Sequence, residues 1–306
     1  MSTVLSDRYR LDELLASGGM GAVWRAVDLR LDRTVAVKVL APAFADDAEF
    51  VARFEAEART MAAVRHPNIV GVYDHGEDGG DIYLVMEYVA GRPLSQVLEE
   101  GGRLPSDETL RVVAQAATAL QVVHDAGIVH RDVKPSNLLI EEDGTVRLAD
   151  FGVARSAASA GLTGTQKVLG TAQYMAPEQA LGRGATPAAD IYALGAVAYH
   201  CLAGNAPFGG ETPVEVALHH VQDEPPPLPP DVPAATRSIV ERAMAKDPLL
   251  RFESAASFAA AAAAPETAAA QTVAMLPPPP GKRSRGRVAA GVGAGAVALA
   301  AIAALV

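Results

Sequence analysis

The feature that most restricts how this chain can fold is the run His130-Arg131-Asp132-Val133-Lys134-Pro135-Ser136-Asn137, which is followed by Asp150-Phe151-Gly152. Between the two motifs lie two short apolar stretches around a turn of the Asp-Gly type. This pattern predicts a β-hairpin. Because a hairpin brings its two ends together, Asn137 and Asp150 should flank one metal site, and their oxygens are ligands that suit Mg²⁺.

A carboxylate, Asp132, stands inside the first motif. In that place it can orient a hydroxyl group and accept its proton, as a general base does. Either motif alone occurs often by chance, so neither is specific in isolation. Their order and spacing relative to the elements described below make them specific.

A glycine-rich stretch, Leu15–Val23, lies upstream between apolar segments that are typical of strands. Glycines such as Gly18 and Gly21 allow backbone N–H groups to close over phosphate oxygens. Taken alone, the stretch is typical of an ordinary hairpin turn. A phosphate site is favoured by the apolar strand that follows, Val35-Ala36-Val37-Lys38, because it ends in a lysine.

In this order, the motifs resemble those of protein kinases, and in particular of the bacterial eukaryotic-like (Hanks-type) Ser/Thr protein kinases. The resemblance covers residues 9–258. It implies an α+β, bilobal protein-kinase fold. The smaller lobe, 9–89, should be an antiparallel sheet with one helix, and the larger lobe, 90–258, should be mostly helical.

The resemblance also implies a site for ATP and Mg²⁺, with Mn²⁺ as a substitute metal. Lys38 would hold the α- and β-phosphates and pair with a glutamate on a helix. Backbone groups of Glu87 and Val89 or their neighbours would meet the adenine edge, and Met86 would close the back of the pocket. The family usually has glycine where this chain has Ala16, which is expected to weaken nucleotide affinity at most. The residues implied at the nucleotide are Ala16, Ser17, Gly18, Gly19, Met20, Gly21, Val23, Ala36, Lys38, Met86, Glu87, Val89 and Leu139.

The glutamate partner of Lys38 should lie in 47–64, where apolar residues recur at helical spacing and predict an amphipathic helix. Glu57 is preferred because Met61, four residues later, falls on the same face of that helix. Glu55 remains the alternative. Either glutamate could instead belong to a solvated face.

Three residues carry the transfer step in the resemblance: Asp132, Lys134 and Thr171. Asp132 would orient the acceptor hydroxyl, Lys134 would stabilise charge on the moving phosphoryl group, and Thr171 would bond to both. A lysine two residues after the aspartate, and a threonine before Ala176-Pro177-Glu178, are features of Ser/Thr kinases, whereas tyrosine kinases have a different loop. Protein serine and threonine hydroxyls are therefore the expected acceptors.

The hydroxyl-rich stretch between Asp150 and Ala176 shows no hydrophobic period. Its pair Thr163 and Thr165 has the spacing used by bacterial Ser/Thr kinases that autophosphorylate, which implies phosphorylation between the two copies of a homodimer. Phosphothreonine adds about −1.5 to −2 charge and could order this segment against Arg131. The alternative is a Ser/Thr-rich loop that is never modified.

Three further residues resemble structural anchors of the family. Asp190 opens an apolar helix and would hold the catalytic-loop backbone, and Arg251 would pair with Glu178 inside the large lobe. The single cysteine, Cys201, stands in an apolar helix and is expected in the core, which excludes an internal disulfide and favours a reducing compartment.

The formal net charge of −10 argues against nucleic-acid binding, which needs a basic face, and no nucleic-acid partner is expected. The seven histidines show no metal-ligand spacing, and His219-His220 lies at what reads as an ordinary polar helix end. The amino terminus lacks the apolar stretch of a signal peptide.

The composition changes abruptly beyond residue 258. Segment 259–287 is rich in alanine and proline and ends in a basic cluster, and 288–306 contains no charged residue. A helix of that length would span about 28 Å, close to the thickness of the hydrocarbon layer. The cluster predicts a single-pass anchor in the cell membrane with the kinase domain in the cytoplasm. The alternative is a disordered or surface-lying tail.

The sequence therefore predicts a membrane-anchored signalling Ser/Thr protein kinase that uses ATP. One rival is a pseudokinase scaffold, which is disfavoured because every catalytic position is filled. The other is a small-molecule phosphotransferase, which would lack the Ala-Pro-Glu motif and its upstream threonine loop.

Overall fold

The computed structural model describes residues 3–19, 21–45, 47–150, 170 and 172–266. Several predictions concern residues outside this description, and they are those for Met20, Thr163, Thr165, Thr171, the part of the linker at 267–287 and the segment 288–306.

The smaller lobe is built on a six-stranded antiparallel sheet with the order β1-β2-β3-β4-β6-β5. Two helices, rather than the single one predicted, lie between β4 and β5 in the chain, although the first is only one turn long. The elements are β1 (Val4–Leu5), β2 (Tyr9–Gly18), β3 (Gly21–Asp28), β4 (Arg33–Leu40), α1 (Pro42–Ala45), α2 (Ala48–Ala63), β5 (Val72–Asp78) and β6 (Asp81–Glu87).

The central strand β4 is buried on both faces. Val35 and Val37 belong to a small apolar cluster on one side of the sheet, whereas Ala36 and Leu40 belong to the main core on the other side. Since successive side chains of a strand point to opposite faces, Lys38 shares the side of Ala36, toward α2 and the larger lobe.

Helix α2 begins where Asp47 caps it, because its carboxylate accepts hydrogen bonds of 3.0 Å from the N–H groups of Glu49 and Phe50. The helix buries one stripe of side chains that recur every three to four residues, as an amphipathic helix does. These buried residues are Phe50, Phe54, Ala58 and Met61. The helix predicted over 47–64 is thus present as α2.

The larger lobe is mostly helical, with one small three-stranded sheet of order β7-β8-β9. Its centre is α6, a helix so rich in small and apolar residues that nearly every side chain is buried, Cys201 included. The elements are β7 (Gly91–Pro93), α3 (Leu94–Gly101), α4 (Ser106–Asp125), the 3₁₀ turn Pro135–Asn137, β8 (Leu138–Glu141), β9 (Val146–Leu148), α5 (Pro177–Ala180), α6 (Pro187–Ala203), α7 (Pro213–Gln222), α8 (Ala234–Ala243), the 3₁₀ turn Pro248–Leu250 and α9 (Ala255–Ala263).

The two lobes share one main apolar core, which runs from Phe54 and Met86 in the smaller lobe to Leu120 and Leu138 in the larger. The predicted bilobal α+β fold is confirmed. Within the described ranges, no helix has both the length and the apolar character needed to cross a bilayer.

Candidate active site

The hairpin predicted between the two motifs forms, and it brings their ends together. Leu138 pairs with Leu148 in the β8–β9 ladder, and the Ala149 N–H donates a 2.9 Å hydrogen bond to the carbonyl oxygen of Asn137. This last bond extends the ladder by one step. Asn137 and Asp150 consequently lie at the same open end of the hairpin.

Asp190, at the start of α6, holds the main chain of the catalytic loop, which is the run of residues 130–137. One carboxylate oxygen accepts the His130 N–H at 2.8 Å, and the other accepts the Arg131 N–H at 2.9 Å. His124 Nε2 lies 2.8 Å from the first of these oxygens. Arg131 has a φ of 66°, a left-handed conformation that costs on the order of 1–3 kcal/mol for a side chain other than glycine. Asp190 therefore acts as the predicted anchor and stabilises a strained loop.

Asp132, Lys134 and Asn137 form one connected group in this loop. The Lys134 ammonium donates a 2.8 Å bond to Asp132 Oδ2. The Asn137 amide nitrogen donates to the main-chain oxygen of Asp132 at 2.7 Å and approaches its Oδ2 at 3.3 Å. Only 9% of Asp132 is exposed, so its carboxylate is held in one orientation by these donors rather than by solvent.

His130 links the catalytic loop to the hairpin, a role that the sequence analysis did not assign to it. Its side chain is fully buried, and its Nε2 lies 3.1 Å from the carbonyl oxygen of Ala149, the residue before Asp150. Burial lowers the pKa of this imidazole and favours its neutral form. The only feature of the sequence that indicated a role for His130 was its position next to Arg131 and Asp132.

The predicted ion pair between Lys38 and Glu57 is not present. The Lys38 ammonium instead forms an ion pair with the carboxylate of Asp150. Glu57 has no hydrogen bond or ion pair with any residue in the described part of the chain. Burial raises the pKa of Glu57, and the nearby guanidinium of Arg131 acts in the opposite direction. Lys38 thus pairs with Asp150, which comes just after β9, rather than with Glu57 on α2.

Of the two glutamates considered on α2, Glu57 is the one that faces inward. Glu55 pairs with Arg59 one turn later at 2.8 Å, on the partly exposed side of the helix. Glu57 lies next to the buried stripe that contains Phe54 and Met61. The prediction of Glu57 over Glu55 agrees with this placement, although the contact with Lys38 does not form.

The glycine-rich stretch is the connection between β2 and β3. Ala16 pairs with Val23 and Ser17 with Ala22 in the ladder, so alanine occupies extended backbone at position 16 without difficulty. Gly21 has a φ of 135°, and a Cβ placed there would lie 1.9 Å from the Val39 carbonyl oxygen. Glycine is therefore required at position 21.

Five apolar residues predicted at the nucleotide belong to the main core or pack against it. Ala36 and Met86 are buried in the main core, and Val23, Val89 and Leu139 pack against it while partly exposed. A cavity on the inner side of Met86 is lined by Lys38 and Asp150 as well as by core side chains.

The segment that leaves β6 is tied to both lobes. The Glu87 N–H donates a 2.8 Å bond to the carbonyl oxygen of Gly71, and its carboxylate accepts the Gly71 N–H at 3.2 Å and pairs with Arg147 of β9. Because the Glu87 amide is already used, other main-chain groups of this segment would have to donate to an adenine edge.

The donor set at the hairpin end fits Mg²⁺. The Asn137 amide nitrogen is turned toward Asp132, which leaves its oxygen directed away, and Asp150 adds a carboxylate. In the described ranges, no group of three His, Cys, Asp or Glu side chains could hold a metal alone. Mg²⁺ is commonly bound by one or two carboxylates together with phosphates and waters. Asn137 and Asp150 would thus hold a metal that arrives with a nucleotide.

The sequence matches the model of the protein kinase domain over residues 9–261. This chain belongs to the protein kinase family. The fold agrees, because the structure resembles the crystal structure of the Mycobacterium tuberculosis PknI kinase domain with a TM-score of 0.69 at 31% identity, covering 86% of this chain and 98% of that one.

Similar sequences carry kinase names. Serine/threonine-protein kinase PknA of Mycobacterium tuberculosis is 50% identical over 264 residues, which are 85% of this chain and 61% of that protein. Serine/threonine-protein kinase PrkC of Bacillus subtilis is 42% identical over 259 residues, 84% of this chain and 40% of that protein. The chain thus spans about three-fifths or less of the length of these relatives.

Proposed function

We propose that this chain is a Ser/Thr protein kinase that transfers the γ-phosphoryl group of ATP to protein hydroxyls. The observation that carries the proposal is the convergence of Lys38, Asp132, Lys134, Asn137 and Asp150 at one end of the β8–β9 hairpin. The names of the relatives point to the same reaction.

Each residue of this group has a separate task. Asp132 orients the acceptor hydroxyl and accepts its proton, and Lys134 stabilises negative charge near the transferred group. Lys38 would position the phosphates, while Asn137 and Asp150 would hold Mg²⁺. The bound metal would neutralise charge on the phosphate oxygens. Catalysis then depends mainly on positioning and electrostatics.

The pair of Lys38 and Asp150 has a consequence for this mechanism. Lys38 has its task at the phosphates and Asp150 at the metal, so bound ATP and Mg²⁺ would compete with this ion pair. Glu57 has no hydrogen bond or ion pair within the described residues, which makes it available to receive Lys38 if α2 moves toward β4. We regard the structure as one conformation of an active kinase rather than as a pseudokinase, since every catalytic side chain is present.

Activation would come from phosphorylation of Thr163 and Thr165 by a second copy of the chain. Arg131 is half-buried beside the catalytic loop and acts on the pKa of Glu57. A phosphothreonine would bind Arg131 and so compete with Glu57 for it. With the charge of Arg131 neutralised by the phosphate, Glu57 would be attracted to Lys38 instead.

The acceptor class and the activation can be tested together. The purified chain, with ATP and Mg²⁺, is expected to phosphorylate itself and a basic protein substrate on serine and threonine but not on tyrosine. Mass spectrometry should locate phosphate on Thr163 and Thr165. An inactive Asp132→Asn copy mixed with wild type should acquire phosphate at the same threonines, because transfer occurs between copies. Phosphotyrosine as the main product, or phosphorylation of small alcohols only, would contradict the proposal.

We also propose that 288–306 anchors the chain in the cell membrane as a single-pass segment, with the kinase domain in the cytoplasm. The support is the uncharged stretch itself and the preceding cations, which stay on the inner side of a membrane. These cations are Lys282, Arg283, Arg285 and Arg287.

Fractionation of cells that produce the full chain is expected to place the protein in the membrane pellet even after washing at alkaline pH, because an inserted helix is not extracted. A matched chain that ends at residue 281 should appear in the supernatant. Release of the full chain by the alkaline wash would instead indicate a tail that lies on the surface.

A further inference from the structure

His200, near the end of α6, holds the segment that leads to the Ala-Pro-Glu motif, a role that the sequence analysis did not assign to it. The hydroxyl of Tyr174 lies 2.7 Å from Nδ1 of His200. Their rings are nearly parallel, with 14° between the planes and 6.2 Å between the centroids. Tyr174 is buried and His200 is half-buried. A hydrogen bond and a ring contact thus attach this segment to α6.

The main chain of the same segment is fixed by two further bonds. The Ala176 N–H donates a 3.0 Å bond to Oε1 of Gln179 on α5. The Met175 N–H donates a 3.2 Å bond to the carbonyl oxygen of Ala172, which closes a turn around Tyr174. These two bonds shape the segment, whereas the contact of Tyr174 with His200 fixes its place on α6.

The segment forms part of the wall of a cavity beside Asp132, the proposed base. Tyr174 and Met175 line this cavity together with Asp132 and its neighbours in the catalytic loop. None of the residues that line it also lines the cavity at Lys38 and Asp150. An acceptor whose hydroxyl reaches Asp132 would therefore bring its neighbouring residues against this segment, away from the phosphate and metal residues.

The contact of Tyr174 with His200 joins two neutral groups. Burial lowers the pKa of the His200 imidazole and raises the pKa of the Tyr174 hydroxyl. A hydrogen bond between neutral groups changes an equilibrium by about two- to tenfold. Its loss should therefore loosen the wall of the cavity without unfolding the larger lobe.

We propose that His200 is a positioning residue for the protein acceptor: by holding the Tyr174 hydroxyl, it fixes the wall along which the polypeptide beside the acceptor hydroxyl lies. This inference rests on the proposed function and adds a residue to it. A wall that is fixed before binding spares the acceptor the cost of ordering it. Within the described ranges, His200 has no hydrogen bond or ion pair with Lys38 or Asp150, so its effect should concern the acceptor rather than the nucleotide.

Two variants remove the same bond from its two sides. His200→Phe keeps a flat ring of similar size beside Tyr174, and Tyr174→Phe removes a single oxygen atom. Each is expected to raise the KM for the basic protein substrate about fivefold. The KM for ATP, and the slow hydrolysis of ATP without acceptor, should stay within about twofold of wild type. The double variant should also show about a fivefold rise, because both exchanges remove one shared interaction.

A conservative variant tests the role of Nδ1 directly. The amide of asparagine can place a hydrogen-bonding atom near the position of Nδ1. His200→Asn should therefore recover most of the substrate affinity that His200→Phe loses.

The chain contains a matched control pair on the same helix. The Tyr192 hydroxyl lies 2.8 Å from Nδ1 of His220 on α7, and both side chains are fully buried. His220 thus lies in the core, whereas a polar helix end was predicted for it. Neither residue lines the cavity beside Asp132. Tyr192→Phe makes the same exchange as Tyr174→Phe, and it should leave the KM for the protein substrate within about twofold of wild type.

Three results would overturn the inference. The first is an unchanged KM for the protein substrate in His200→Phe and Tyr174→Phe, and if His200→Phe does not fold, Tyr174→Phe decides alone. The second is a parallel rise in the KM for ATP, or an equal rise in Tyr192→Phe, because either would reveal a general loosening of the larger lobe. The third is a double variant whose effect is the product of the single effects, because the two side chains would then act separately.

Failure of the two proposals can be distinguished. A wild-type chain that hydrolyses ATP but phosphorylates no protein serine or threonine overturns the proposed function, and the inference with it. A wild-type chain that phosphorylates the protein substrate with the same KM as its His200 and Tyr174 variants overturns the inference alone.

Discussion

Replacing Asp132 with asparagine is expected to lower the rate of phosphoryl transfer by about 10³-fold, within the range for loss of a general base. The exchange conserves shape, and the Asn137 amide can still donate to the main-chain oxygen of residue 132, so the metal ligands should keep their places. Lys38 and the apolar cleft are untouched. Titration with a fluorescent nucleotide should therefore give an ATP affinity within about twofold of wild type.

The control is Asp125→Asn, the same exchange on an exposed carboxylate at the end of α4. It should leave both transfer and nucleotide affinity unchanged. If Asp132→Asn still transferred phosphate within tenfold of the wild-type rate, Asp132 would not be the base. If it lost nucleotide affinity in proportion to the rate, its role would be to hold the site together.

Features set by local spacing were predictable from the sequence. The β8–β9 hairpin has its turn and both of its strands within a few residues of each other, so Asn137 and Asp150 had to meet once the strands paired. Asp190 is different, because it lies 60 residues from His130 in the chain, and only the family resemblance indicated its contact with the catalytic loop. The family resemblance identified which residues act together, and the geometry of the hairpin brought Asn137 and Asp150 to the same end.

The partner of Lys38 was not predictable in the same way. β4 sets the direction in which Lys38 points, but two carboxylates, Asp150 and Glu57, compete for it, and the choice depends on how closely α2 docks against the sheet. A shift of α2 by a few ångströms changes the Coulomb energy of either ion pair. The sequence pattern does not determine the position of α2 to that precision. Helical periodicity identified Glu57 as the inward-facing glutamate, and it carries no information about the docking distance.

The sequence analysis placed His219 and His220 at a polar helix end, and it missed the burial of His220 for a different reason. Adjacent histidines before a run of acidic and proline residues are typical of a solvated helix end. In so short a stretch, the polar and charged residues conceal the helical spacing that would indicate a buried face. The burial of His220 depends on Tyr192, Phe208 and Lys246, which come from three other parts of the chain. Long-range packing of this kind is visible only when the fold is known.

The largest effect on stability is expected from Arg251→Met, which should destabilise the protein by about 3–5 kcal/mol. The guanidinium is fully buried and forms two bonds with the Glu178 carboxylate, at 2.7 and 2.8 Å. It also donates to the main-chain oxygens of Ala245, Ala188 and Lys246. Methionine would leave a buried carboxylate and three carbonyl groups without this donor. For a domain of this size, the midpoint of thermal unfolding should fall by about 10 °C.

The chain contains a matched control for this prediction. Arg103 forms a similar two-bond pair with Asp231, at 3.2 and 2.8 Å, but about half of each side chain is exposed. Arg103→Met should lower the midpoint of thermal unfolding far less than Arg251→Met does, because water solvates the remaining carboxylate. The double variant Arg251→Met, Glu178→Leu should be more stable than Arg251→Met alone, since it removes the uncompensated charge. Equal losses for Arg251→Met and Arg103→Met would show that burial of the Glu178 pair does not determine its effect.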